Sequence, residues 1–178
     1  MVFGPILDAR QAQREGKSLV SVWNRGQQLI NAGLPMSAKL GFWSTNLPYY
    51  LLAARLWVGG EEVVAPGAQW AHALVVTVVA VVSTAFHGAA LFGSGSSPWP
   101  ARLLLADLTC ANGYGTVLAC NLGFFYVLRI FMPGVICLAT GAYLKRRGSP
   151  FGYVLGHGIW HLLSTAAMYH CLFNGAGI

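Results

Sequence analysis

Five residues in an otherwise apolar chain carry side chains suited to chemistry: Ser83, His87, Asp107, His157 and His161. Ser83 and His87 are four residues apart, and so are His157 and His161. On an α-helix that spacing puts both members of a pair on one face. Two imidazoles so placed can share one metal ion, as they do in an H-E-x-x-H helix. A third imidazole from another helix completes a three-histidine set whose fourth tetrahedral position stays open to water. That is the arrangement of a catalytic zinc, not of a closed structural one. Imidazole also suits iron, copper and nickel, so zinc is a preference drawn from the ligand set. A metal makes water acidic enough to lose a proton near neutral pH. Asp107 beside such a site is placed to take that proton and deliver it later to a leaving group. The Ser83 hydroxyl can hydrogen-bond Asp107, ligate weakly or polarise a substrate carbonyl.

The elements that must hold these residues are transmembrane helices. Hydrophobic residues make up 56% of the 178, and charged residues 9%. A soluble domain carries about 25% charged residues, so this chain cannot coat a globular surface in water. The mean hydropathy of +0.57 agrees. The composition argues against intrinsic disorder, nucleic-acid binding and a secreted disulfide scaffold. The net charge of +6 then speaks of membrane topology and contact with anionic lipid. The four cysteines, Cys110, Cys120, Cys137 and Cys171, lie in apolar stretches without a C-x-x-C pair and read as buried free thiols.

Two regions follow. Residues 1–37 hold Arg10, Arg14, Lys17 and Arg25, with Leu19, Val22, Trp23, Leu29 and Ile30 near one helical face. That pattern predicts an amphipathic helix lying in the membrane interface. It is also compatible with a transit peptide, although Asp8 and Glu15 do not suit one. Residues 38–178 predict an all-α transmembrane bundle. Its apolar runs are 38–58, interrupted by Pro48 and carrying Arg55, then 68–92, 102–120, 124–143 and 151–172. The third and fourth come from one long run, too long for a single crossing at about 20 residues each, divided here near Asn121-Leu122-Gly123. Trp43, Trp57, Trp70 and Trp99 fall near span ends, as interfacial anchors do. Pro133 predicts a kink in the fourth span. Gly113 and Gly115 predict close packing or a backbone break.

If five spans alternate in direction, nine of the eleven Lys and Arg residues fall on the side of the N-terminus. By the positive-inside tendency that side is cytoplasmic or its equivalent. The same alternation brings Ser83, His87, Asp107, His157 and His161 to one depth near the basic side. Taken singly, each has a plainer role. An intramembrane histidine usually hydrogen-bonds a neighbouring helix, a serine back-bonds to a carbonyl, and Asp107 has Arg102 nearby. All five at one depth favour a metal site.

Ser83-x-x-x-His87, Asp107 and His157-x-x-x-His161, with Gly-His-Gly-Ile-Trp-His-Leu-Leu-Ser over residues 156–164, resemble the signature of the CREST superfamily of membrane hydrolases. That superfamily includes the alkaline ceramidases and the progestin and adipoQ receptor proteins. The resemblance spans residues 66–172. It implies zinc on His87, His157 and His161, a water-activating Asp107 and a supporting Ser83. The implied reaction is hydrolysis of an amide or ester bond in a membrane lipid, ceramides among them. One departure stands out: the family core has seven helices against five here, the difference falling between Asp107 and His157.

Two other functions compete. A small bundle with a zinc site and a long interfacial segment also fits an accessory subunit with protein partners in a larger membrane assembly. A b-type haem carrier would pair His72 and His87 with His157 and His170. Helical phase opposes it: at about 3.6 residues per turn, His170 points about 140° away from His157.

Overall fold

A backbone crossing hydrocarbon has no water to bond with, so apolar runs of this length satisfy their own N–H and C=O groups as helices. The structure, a computed structural model, describes residue 16 and residues 33–59, 63, 65, 67–93 and 99–174. The expected interfacial helix over residues 1–37 lies almost entirely outside the described residues. Those described form six α-helices: α1 (Met36–Ser44), α2 (Leu47–Val58), α3 (Gln69–Phe92), α4 (Trp99–Leu122), α5 (Phe124–Arg146) and α6 (Pro150–Tyr169). A π-helical turn (His170–Asn174) continues α6. The protein is an all-α membrane bundle. Among the described residues, three helices are long and apolar enough to cross a bilayer: α3, α4 from Arg102 onward, and α5. Helix α6 has 20 residues, but His157, His161, Ser164 and Thr165 lower its hydropathy.

Each helix end has a local cause. Gly123 separates α4 from α5 at φ 96°, a conformation that costs glycine nothing and other residues much. The expected division near Asn121-Leu122-Gly123 falls there. After α5, Gly148 at φ 77° and the bonds Gly148 N to Lys145 O and Ser149 N to Leu144 O, both 3.0 Å, make a Schellman stop. Helix α6 then starts with Ser149 as N-cap, its hydroxyl accepting from Gly152 N at 3.2 Å, and with Pro150 in the first turn, where its missing N–H costs nothing. The run 38–58 is not one helix. Thr45 and Asn46 interrupt it, and Pro48 sits in the first turn of α2.

Named contacts give the helix directions. His72 bonds Tyr114 and Ser83 meets Asp107, so α3 and α4 are antiparallel. Trp57 Nε1 donates to Thr77 Oγ1 at 3.0 Å and Gln69 to Leu56 O at 2.8 Å, so α2 and α3 are antiparallel too. Thr45 meets His161 and Tyr49 meets Ser164, so the α1–α2 pair runs parallel to α6. Helices α5 and α6 are antiparallel, and their backbones touch: a Cβ on Gly156 would lie 2.8 Å from Cys137 O and from Gly141 Cα. In a membrane, where burial of apolar surface does not drive helices together, such close approach of small residues is a main source of packing energy.

The larger core joins Leu52, Leu56, Val76, Val79, Leu118 and Leu172 with their neighbours. A smaller one joins Leu34, Phe42, Leu91 and Val154. Along α3 and α6, the histidines fall between these two clusters. Two expectations are corrected. Gly113 and Gly115 lie within the continuous α4 with nothing within 4 Å of a Cβ, so they mark neither a break nor a close approach. Among the cysteines, all free, only Cys171 is buried and Cys120 is exposed. The thiols on α4 and α5 lie on helices whose outer faces have few protein neighbours.

Gly156→Leu should destabilise the bundle by about 1–3 kcal/mol, the usual cost of overpacking. Thermal unfolding in detergent reads this as a lower midpoint, whereas Gly113→Ala, with open space at its Cβ, should leave the midpoint unchanged or raise it.

Candidate metal centre

Helix α3 brings His87 to the second-last turn before Phe92, and α6 stacks His157 over His161 on consecutive turns. One ligand atom from each of the three lies within 4.8 Å of the other two. The ring centroids are 5.0 Å apart for His87–His157, 4.8 Å for His87–His161 and 4.9 Å for His157–His161. His87 and His161 are 1% and 2% exposed.

A buried ring nitrogen normally has a hydrogen-bond partner. Here His87 Nε2 and His157 Nδ1 have none. Leaving such a group unsatisfied costs about 1–3 kcal/mol. The other two unpartnered buried side-chain atoms among the described residues are Asn46 Oδ1 and Thr84 Oγ1. Thr84 is three residues before His87, and Asn46 follows Thr45, which bonds His161. The unsatisfied polar atoms thus gather around the triad. Three tetrahedral ligands at about 2.1 Å from one zinc lie about 3.4 Å apart, so the ring nitrogens, now within 4.8 Å of one another, would draw closer on ligation. The buried triad fits a metal ion.

The break between α1 and α2 builds the wall of this site. Phe42 lies against all three imidazoles, with centroids 4.9 Å from His87, 5.4 Å from His157 and 5.6 Å from His161. Thr45 Oγ1 is 2.8 Å from His161 Nδ1. Trp43 Nε1 donates to Thr84 O at 3.2 Å, tying α1 to α3. Gly158, between the two histidines of α6, permits the approach, since a Cβ there would lie 3.2 Å from Thr45 Cγ2 and 3.6 Å from Phe42 Cδ2.

Ser83 is buried on α3 and lies against the Asp107 side chain on α4. The structure therefore brings Ser83 and Asp107 together, with Ser83 one turn from His87 on α3. Asp107 stands outside the set of three ligand atoms within 4.8 Å. Arg102 lies over the Trp99 ring, 5.7 Å from its centroid. One turn beyond the triad, Tyr49 Oη and Ser164 Oγ are 2.6 Å apart.

His72 and His170 belong to the other end of the bundle. His72 Nδ1 is 2.9 Å from Tyr114 Oη, and His170 stacks on Tyr126 at 6.3 Å. A haem between α3 and α6 needs an open plane between its two axial imidazoles. Beside His87 that plane is filled by a second α6 imidazole and by Phe42.

Thr45, Phe42 and Tyr49 were not among the residues expected from sequence. Their one signal was Thr45-Asn46-Leu47-Pro48: polar capping residues just before a proline mark a helix start within an apolar run. Nothing in that signal says which helix the break faces.

Purified protein should bind about one equivalent of divalent metal per chain. His87→Ala, His157→Ala or His161→Ala should each weaken binding by more than about 100-fold, beyond the 10–100-fold typical of supporting residues. His170→Ala should leave it unchanged. Mass spectrometry of bound metal and competition with a chelator measure both.

Comparison of the chain with protein-family models, curated proteins and solved structures finds no match. The geometry of the site itself carries what can be said of function.

Proposed function

We propose that this protein is a zinc-dependent intramembrane hydrolase that cleaves an amide or ester bond in a lipid. The observation that carries the reading is the meeting of three imidazoles, His87 and His161 among them buried, two with unpartnered nitrogens; Ser83, one turn from His87, reaches the Asp107 carboxylate. A resemblance to the CREST hydrolases points the same way.

His87, His157 and His161 would hold the ion, which when bound supplies Lewis acidity to water and to a carbonyl oxygen. Three ligands from the protein leave room for a reactant, as catalytic zinc sites do. Asp107 takes the proton from the attacking water as its oxygen adds to the carbonyl carbon. It returns that proton to the leaving nitrogen or oxygen as the C–N or C–O bond breaks, giving a carboxylic acid and an amine or alcohol. Ser83 orients the carboxylate for both transfers. Phe42 presents an apolar wall that limits bulk water around the imidazoles and strengthens every electrostatic interaction there. The substrate class follows from place, since the site is enclosed by helices whose outer faces carry exposed Leu, Val and Phe.

The same reading counts five crossings, with α1 and α2 as one broken span. It puts the N-terminal segment and the Lys145–Arg147 turn on the cytoplasmic or equivalent side, because basic residues concentrate there.

One observation favours a second reading, that of an accessory subunit. The outer face of α4 exposes Asn112, Thr116 and Asn121. Polar side chains in a span usually face protein rather than lipid. Stable one-to-one co-purification with another membrane protein from its native membrane would support that reading.

Asp107→Asn separates the two. As a hydrolase, the variant should keep its bound metal and lose about 10²–10⁴-fold in turnover of an amide- or ester-linked lipid, the usual contribution of a general base. Full activity in the variant would overturn the role given to Asp107.

A further inference from the structure

The α1–α2 break contributes more than a wall. Thr45 Oγ1 makes two close polar contacts, one to Phe42 O at 2.6 Å and one to His161 Nδ1 at 2.8 Å. A threonine hydroxyl has one proton to give. A backbone carbonyl can only accept, and two oxygens 2.6 Å apart need a proton between them. The Thr45 proton is therefore committed to Phe42 O. The contact with His161 then requires the ring to donate, so Nδ1 carries the hydrogen. A neutral imidazole has one N–H and one lone pair, which leaves the lone pair of His161 on Nε2.

We infer that Thr45 is a positioning residue that fixes His161 in the Nδ1–H form and so presents Nε2 to the triad as a metal ligand. Metal-bound histidines commonly donate their second nitrogen to a supporting oxygen, which sets tautomer and ring orientation. Carboxylates, carbonyls and waters usually serve. Here the acceptor is a hydroxyl whose own proton is occupied one turn back along α1. The carbonyl it occupies belongs to Phe42, whose ring stacks on the same imidazole with an interplanar angle of 9°. Carbonyl, hydroxyl and ring thus hold His161 from one short stretch of chain. Gly158 keeps the stretch within reach, since a larger residue would press on Thr45 Cγ2.

The inference rests on the proposed metal site, and the test separates the two. Metal-free protein labelled with ¹⁵N at histidine reports which ring nitrogen of His161 is protonated. Zinc affinity is measured by chelator competition for native protein, Thr45→Val, Thr45→Ser and the triple variant His87→Ala/His157→Ala/His161→Ala. Thermal midpoints of the metal-free forms check that each is folded. The expected result is an Nδ1–H signature for His161 in native protein, lost in Thr45→Val and kept in Thr45→Ser. Zinc affinity should fall 10–100-fold in Thr45→Val and recover in Thr45→Ser. An Nε2–H signature in native protein overturns the inference without reference to any variant. So does a Thr45→Val protein that binds zinc as tightly as native. Native protein that binds zinc no better than the triple variant overturns the metal site itself, and the inference with it.

Discussion

The packing of three imidazoles between two apolar cores is the constraint on which the rest of this protein depends. Buried ring nitrogens need partners, and His87 Nε2 and His157 Nδ1 find none among the described residues. The bundle tolerates this cost at one level, between the cluster around Leu52, Val76 and Leu118 and the smaller one around Phe42 and Leu91. At that level α3 and α6 place histidine where leucine would pack. A bound metal ion would turn that cost into bonding.

Holding the imidazoles close takes close helices. Helix α6 carries two of the three histidines, and it meets α5 backbone to backbone at Gly156 and Gly141. It meets α1 through Gly158. Glycine on both sides lets α6 lie deep in the bundle with its histidines turned toward α3. On α3, Trp43 bonds the carbonyl of Thr84 and keeps α1 over the turn that bears His87. Helix α6, which bears two of the three histidines, is thus held by α5 and α1 through contacts that no lipid could provide.

The interruption at Thr45 and Asn46 shows how a weak element becomes a specific one. A continuous helix over 36–58 would bond its own carbonyls and offer the site nothing but side chains. At the break, Phe42 O accepts from both the Thr45 N–H and the Thr45 hydroxyl, and the hydroxyl faces His161. The site is organised from the two short helices α1 and α2, and the long apolar helices serve as its frame.

Much of this was legible in the sequence. Composition and the length of the apolar runs required membrane helices, because a backbone in hydrocarbon has few alternatives. The four-residue spacing fixed which histidines share a face of α6, since helical geometry is local. The glycine after Asn121-Leu122 marked where α4 must end. What local rules could not decide was the contact between helices. His72, His87, His157, His161 and His170 all lie in apolar segments, and only packing separates the three that meet from the two that bond tyrosine or stack on it. Asp107 was expected at the site, but its distance from the three ligand atoms, and its contact with Ser83, depend on how α3 and α4 cross. Thr45 was invisible as a functional residue because its role requires a helix 116 residues away in the chain. The sequence by itself determined the helices and the faces. The tertiary structure alone decided which faces meet, because close packing between helices is set by shape across the interface and not by any pattern within one segment.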